Sequence, residues 1–162
     1  MDGSHEVVLR RCGVEGGIDL VGDVLCPMSI SLDALRQYES KTVEPFDLRC
    51  FTTRKFIQRV GRYRGVPMRT LLDEAGLRSH SSTDFKRAVF LAVAHGGQTV
   101  AFSWHEIFNS PVGEDALVAY ECGGKPLTAE DGGPVLVSPA DTYTALRHVT
   151  QLARIVTRIV TA

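Results

Sequence analysis

The sequence predicts a mixed α+β domain in which β structure dominates, and three observations carry that expectation. Short runs rich in apolar and β-branched residues recur along the chain. Only three segments carry helix start and stop signals, and these are brief and scattered between the runs. In the second half, glycine-rich turn signals divide the chain into hairpin-sized pieces.

Strands are expected at residues 6–9, 18–24, 46–52, 85–94, 99–102, 116–121, 134–137 and 154–160. The first helix is expected over 31–38. Ser31 offers an N-cap hydroxyl, and Leu32, Leu35 and the stem of Arg36 fall on one face. The second, over 67–75, has Pro67 in its first turn and Gly76 at its stop. The third opens on Ser103-Trp104-His105-Glu106, a Ser-x-x-Glu capping box, and ends before Pro111. Trp104 and Phe108, four apart, form a helix face suited to a core. Gly96-Gly97, Gly123-Gly124 and residues 131–134 read as turns, because they lack the spacing of a phosphate-binding glycine loop. Ser103, His105 and Glu106 lie too close on one short helix to converge as a hydrolase triad.

With 162 residues, 44% hydrophobic and 23% charged, the chain has the composition of one folded domain over 1–162, and disorder, collagen repeats and coiled coil are excluded. No window approaches the ~20 apolar residues that span a bilayer. Residues 1–6 lack the basic start and apolar run of an export leader, which reads as a cytoplasmic protein. A formal net charge of -1 argues against wholesale binding to nucleic acid or membrane. Cys12, Cys26, Cys50 and Cys122 are too widely spaced for zinc knuckles, and in a reducing compartment most are expected to be small buried thiols.

The near-zero charge averages over a strong asymmetry. Residues 48–72 contain no acid but seven bases, Arg49, Arg54, Lys55, Arg59, Arg62, Arg64 and Arg69. Residues 88–146 contain seven acids and one base, Lys125. Two readings stay open: the halves neutralise each other across the fold, or part of the basic run lines a pocket for a phosphate or other oxyanion, which the planar guanidinium grips bidentately. A nucleic-acid groove ranks third, since only Phe51, Phe56 and Tyr63 interleave the bases.

A longer pattern runs through the chain. It begins with Val21-Gly22-Asp23-Val24, Pro27 and Ser29-Ile30-Ser31-Leu32-Asp33-Ala34-Leu35, followed by Asp47-Leu48-Arg49-Cys50. It continues with Tyr63-Arg64-Gly65-Val66-Pro67-Met68-Arg69-Thr70-Leu71-Leu72 and Ala75-Gly76-Leu77. It closes with Ala119-Tyr120-Glu121, Gly124-Lys125-Pro126-Leu127, Gly133-Pro134-Val135-Leu136-Val137-Ser138-Pro139 and Arg147-His148-Val149. In order and spacing this resembles the molybdopterin-binding oxidoreductase domain of the sulfite oxidase family, in a small single-domain form, over about 17–160.

The resemblance implies a β-rich α+β fold and a molybdenum cofactor whose metal is held by a dithiolene pterin carrying a phosphate. It implies oxygen-atom or two-electron transfer on a small-molecule or anionic substrate, with room for an electron-transfer partner, while the charge and hydropathy above point to neither nucleic acid nor membrane. Cys50 falls where the family's metal-ligating cysteine is expected, and Arg49 and Arg54 would favour its thiolate. Arg54 and Arg147 are the candidate phosphate or pterin partners. His148 and Tyr143 are candidates for hydrogen bonds at the cofactor's edge, and Thr52 and Thr53 offer hydroxyl and amide donors beside Cys50. Each has a plainer alternative, as a buried strand cysteine, a surface arginine, a packed tyrosine, a self-satisfied histidine or a strand-forming threonine.

The chain also departs from the family. Phe51-Thr52-Thr53-Arg54 stands where small residues usually follow the cysteine, His148 replaces a common tryptophan, and His95-Gly96-Gly97-Gln98 replaces an acidic-Gly-Tyr turn. The alternative function is therefore a binding or interaction domain that keeps the fold without the cofactor, and a third is a metal-free anion or nucleotide sensor built on the basic run.

Overall fold

Leu117 to Tyr120 are four consecutive apolar residues, and all four are buried, because their strand separates two hydrophobic cores. The computed structural model describes residues 17–162; the expected strand at 6–9, Cys12 and residues 1–6 lie outside them. Within this range the elements are β1 (Ile18–Gly22), β2 (Met28–Ile30), α1 (Leu32–Leu35), β3 (Lys41–Val43), β4 (Asp47–Arg49), β5 (Phe56–Arg59), β6 (Tyr63–Pro67) and α2 (Met68–Ala75). A 3-10 turn (Asp84–Arg87) then leads into β7 (Ala88–Ala94), β8 (Thr99–Ser103), α3 (Trp104–Phe108), α4 (Pro111–Asp115), β9 (Leu117–Cys122), β10 (Lys125–Pro126), β11 (Val135–Val137) and β12 (Leu152–Ile159).

The strands form two five-stranded sheets and one two-stranded hairpin. The first sheet has the order β2-β1-β12-β7-β8, with β1 parallel to β12 and the other pairs antiparallel. The second has the order β10-β9-β6-β3, with β11 also paired to β9. Along β9, Val118 and Tyr120 enter the larger core, while Leu117 and Ala119 enter the smaller one. β11 alternates in the same way, with Leu136 on the larger side and Val135 and Val137 on the other. The smaller core is closed by Val43, Leu48, Val60 and Tyr63, so the β4–β5 hairpin sits on the far side of the second sheet from the main core. β6 approaches β9 closely at Gly65, where a Cβ would stand 2.1 Å from the Val118 carbonyl oxygen.

The helix signals act as expected except at Pro67, which ends β6 and stands at the N-cap of α2 with φ -53 and ψ 133 instead of in its first turn. The Ser31 hydroxyl accepts the Ala34 N–H at 3.1 Å, although α1 ends at Leu35 and Arg36 lays its guanidinium over the Tyr120 ring at 4.6 Å. α2 buries Met68, Leu71, Leu72 and Ala75, one stripe at helical spacing, and stops at Gly76 with φ 70. The capping box at Ser103 and Glu106 is reciprocal, at 3.1 and 3.0 Å. Trp104 and Phe108 face the core, their ring centroids 5.4 Å apart. Pro111 does more than end α3, because it opens α4 from the first-turn position where its missing N–H costs nothing. Residues 84–87 are turn rather than strand, held by the buried Asp84 carboxylate, which accepts from the His80 and Ser81 amides and from Arg87.

Two expectations are corrected. None of the described cysteines is a fully buried thiol, for Cys26 is exposed and Cys50 and Cys122 are partly so. Within the basic run charge is balanced only in part, and by nearby acids rather than those of 88–146, whereas Lys41 and Arg36, outside the run, reach Asp115 and Glu121 at 3.1 and 3.7 Å. Arg59 and Arg49 pair with Asp47 at 3.0 and 3.7 Å, and Arg62 grips Glu44 at 2.9 and 3.0 Å, using acids that lie just before the basic run. No helix among the described residues is long and apolar enough to cross a membrane.

Candidate functional site

The turn between β4 and β5 carries Cys50, and its backbone closes through the Cys50 N–H, which donates to the Lys55 carbonyl at 3.0 Å. Leu48 alone in this hairpin is buried, pinning its base to the smaller core, while residues 51–59 all face outward. Arg54 takes φ 60, unusual for a non-glycine residue, and folds its guanidinium over the Tyr143 ring at 5.4 Å. The Cys50 thiol is held below its ordinary range, chiefly by the Thr53 hydroxyl and amide and further by the Thr52 amide and hydroxyl.

Arg54, Lys55 and Arg69 have no carboxylate within ion-pair distance among the described residues. Arg54 and Lys55 thus leave unpaired positive charge on the turn, although the lowering of the Cys50 thiol comes from Thr53 and Thr52 and not, as expected, from Arg49 and Arg54. Arg49, by contrast, points to Asp47.

A second segment, residues 138–148, completes the site. Its Thr144 hydroxyl accepts the Arg49 N–H at 3.0 Å and donates to the Asp47 carbonyl, and the Ala145 N–H donates to the Arg49 carbonyl at 3.1 Å. Tyr143 packs edge-on against Phe51, with centroids 5.5 Å apart. Tyr143 therefore touches both Phe51 and Arg54 and stands over the Cys50 turn.

His148 lies behind the hairpin, its ring 5.9 Å from Tyr63 and 6.3 Å from Phe46. Burial lowers its pKa and also pushes the Tyr63 phenol up to about 12. The Nδ1 of His148 is buried without a hydrogen-bond partner among the described residues, as is the Ser138 hydroxyl.

Arg147 turns the other way. Its Nε donates to Asp141 at 2.9 Å, and the nearer terminal nitrogen reaches Asp141 at 2.6 Å and Glu106 at 2.8 Å. The remaining nitrogen donates to the Ala101 carbonyl at 3.0 Å, and the guanidinium lies 4.1 Å from the Phe102 ring centroid. Burial favours its neutral form, but Asp141 and Glu106 outweigh burial and raise its pKa. Four of its five N–H donors are thus engaged within the protein.

The structure thus groups Cys50, Thr52, Thr53, Arg54 and Tyr143 at one turn and sets Arg49 at its edge, while His148 packs on Phe46 and Tyr63 and Arg147 turns toward two carboxylates. Sequence reasoning missed Thr144, Asp141 and the second role of Glu106. Thr144 bonds to a strand 95 residues away, and no local pattern announces such a partner.

A family model for the oxidoreductase molybdopterin binding domain matches residues 17–158. The chain belongs to that family. The expected sulfite oxidase-type fold is present as well. Among 16 solved chains that match, the sulfane dehydrogenase SoxCD from Paracoccus pantotrophus superimposes with a TM-score of 0.66 and 19% identity over 89% of this chain. This molybdopterin-binding domain spans 38% of that chain's length, and at such identity the likeness is one of fold. No curated protein matches the sequence. The residues of the Cys50 turn fit the family's cofactor in kind: a partly exposed soft sulfur for the metal, and the cations Arg54 and Lys55, unpaired among the described residues, for an anionic group.

Proposed function

We propose that this domain is a molybdopterin-dependent oxidoreductase in which Cys50 is the metal ligand. The observation that carries the reading is a partly exposed cysteine at the β4–β5 turn, beside the unpaired Arg54 and Lys55, where the family resemblance leads us to expect the ligand; the lowered pKa of its thiol supports it. When bound, the cofactor supplies a metal that changes oxidation state by two electrons and exchanges an oxygen atom with substrate. Thr52 and Thr53 lower the pKa of the thiol through hydroxyl and amide donors. Arg54 and Lys55 attract the phosphate of the pterin or an anionic substrate, with Arg49 at the rim. Tyr143 shields one side of the turn and orients Arg54. His148 offers its free Nδ1 to the bound group. An electron-transfer partner is part of this reading, since a two-electron centre must be returned to its starting state.

One observation favours a second reading, a binding domain that has kept the fold and lost the cofactor: Arg147 is already held by two carboxylates. The two separate on purified protein from a host that makes the cofactor and is supplied with molybdenum. The first reading expects near-stoichiometric metal and visible absorption, whereas the second expects neither.

A further inference from the structure

The 141–148 loop is stapled at its neck and touches the Cys50 turn at its crest. The neck is the Asp141–Arg147 pair, in which two guanidinium nitrogens meet two carboxylate oxygens at 2.9 and 2.6 Å. This is the strong, geometrically specific form of ion pair. It is sheltered as well, with the Arg147 side chain 17% exposed and that of Asp141 11% exposed. The same guanidinium fastens the neck to the first sheet and to α3, through the Ala101 carbonyl, the Phe102 ring and Glu106. Glu106 uses its other oxygen to cap α3 at the Ser103 N–H. At the crest, Tyr143, Thr144 and Ala145 make every contact with the Cys50 hairpin described above.

We infer that Arg147 is a positioning residue, not an anion ligand: its fork fixes the neck of the loop so that Thr144 and Tyr143 hold the Cys50 turn in one geometry. An incoming phosphate would have to displace two carboxylates that already neutralise the guanidinium. The bearing of this lock on catalysis rests on Cys50 being the metal ligand; the lock itself does not.

The test uses metal-free, full-length protein. In Arg147→Gln, the amides of Arg49, Cys50 and Ala145 exchange with deuterium about tenfold faster or more, while β7 and β12 amides keep their protection. Glu106→Gln, which retains a residue able to cap α3, gives a smaller acceleration at the same three amides, and Arg147→Lys restores part of the protection. At one fixed pH, the Arg147→Gln and Thr144→Val effects on the rate of Cys50 alkylation by iodoacetamide are non-additive, because both release the same loop. Should Arg147→Gln not fold, Asp141→Asn and Glu106→Gln carry the same comparison. Unchanged exchange at positions 49, 50 and 145, acceleration shared equally by β7 and β12, or additive alkylation effects would each overturn the proposal. So would binding of inorganic phosphate to wild type that disappears in Arg147→Gln. A wild-type protein that never takes up molybdenum would defeat the proposed function while leaving the exchange result intact.

Discussion

The Thr144 hydroxyl accepts the backbone N–H of Arg49 at 3.0 Å, so the residue before Cys50 is held by a loop 95 positions further along the chain. The same hydroxyl donates to the Asp47 carbonyl, which satisfies both of its hydrogen-bonding roles at the edge of β4. The strand that presents the thiol is thereby extended on the side that β5 does not cover.

Thr144→Val keeps the shape of this side chain and removes the hydroxyl, leaving the Arg49 amide without its acceptor. The expected cost is about 1–3 kcal/mol of stability, read from the shift of the urea midpoint at constant slope. A change within experimental scatter would mean that water replaces the hydroxyl at no cost.

Asp84 makes an acid-dependent contribution from the 3-10 turn that leads into β7. The Ser81 hydroxyl, then the His80 amide, with further help from the Ser81 amide and Arg87, depress its pKa from 3.8 to about 2 against a smaller opposing effect of burial. A depressed carboxylate stabilises the fold above its unfolded pKa. That stabilisation is lost as pH falls from about 4 toward 2. Thermal melts across this range should show Asp84→Asn with a lower melting temperature near pH 6 and a shallower decline in acid.

His148 has the same direction of pH dependence in a higher window. Burial lowers its pKa from the ordinary 6.5, so the neutral imidazole belongs to the folded state and protonation favours unfolding. Stability is present in full above 6.5 and falls as pH drops through that value toward the folded pKa. Urea midpoints between pH 7.5 and 5 should decline in the wild type and flatten in His148→Gln.

Some of the fold was legible because local rules and global packing agree. The runs that became β7, β9 and β12 are long and apolar, and the Ser31 and Ser103 caps act through neighbours three residues away. β5 and β6 were not legible. Every β5 residue is exposed, and β6 contains Arg64, Gly65 and Pro67, so pairing with β4 and β9 makes them strands, not their own pattern. At the site, Cys50 and its threonine neighbours could be read from the family pattern. The engagement of Arg147 could not, because Asp141, Glu106 and Ala101 come from three separate elements.

The central claim is that the sulfur of Cys50 binds molybdenum. X-ray absorption at the molybdenum edge tests it on wild type and Cys50→Ser, both purified from a molybdenum-replete host. The account predicts one sulfur neighbour more in the wild type than in the variant. Equal sulfur coordination in the two proteins, or no molybdenum in either, would contradict it.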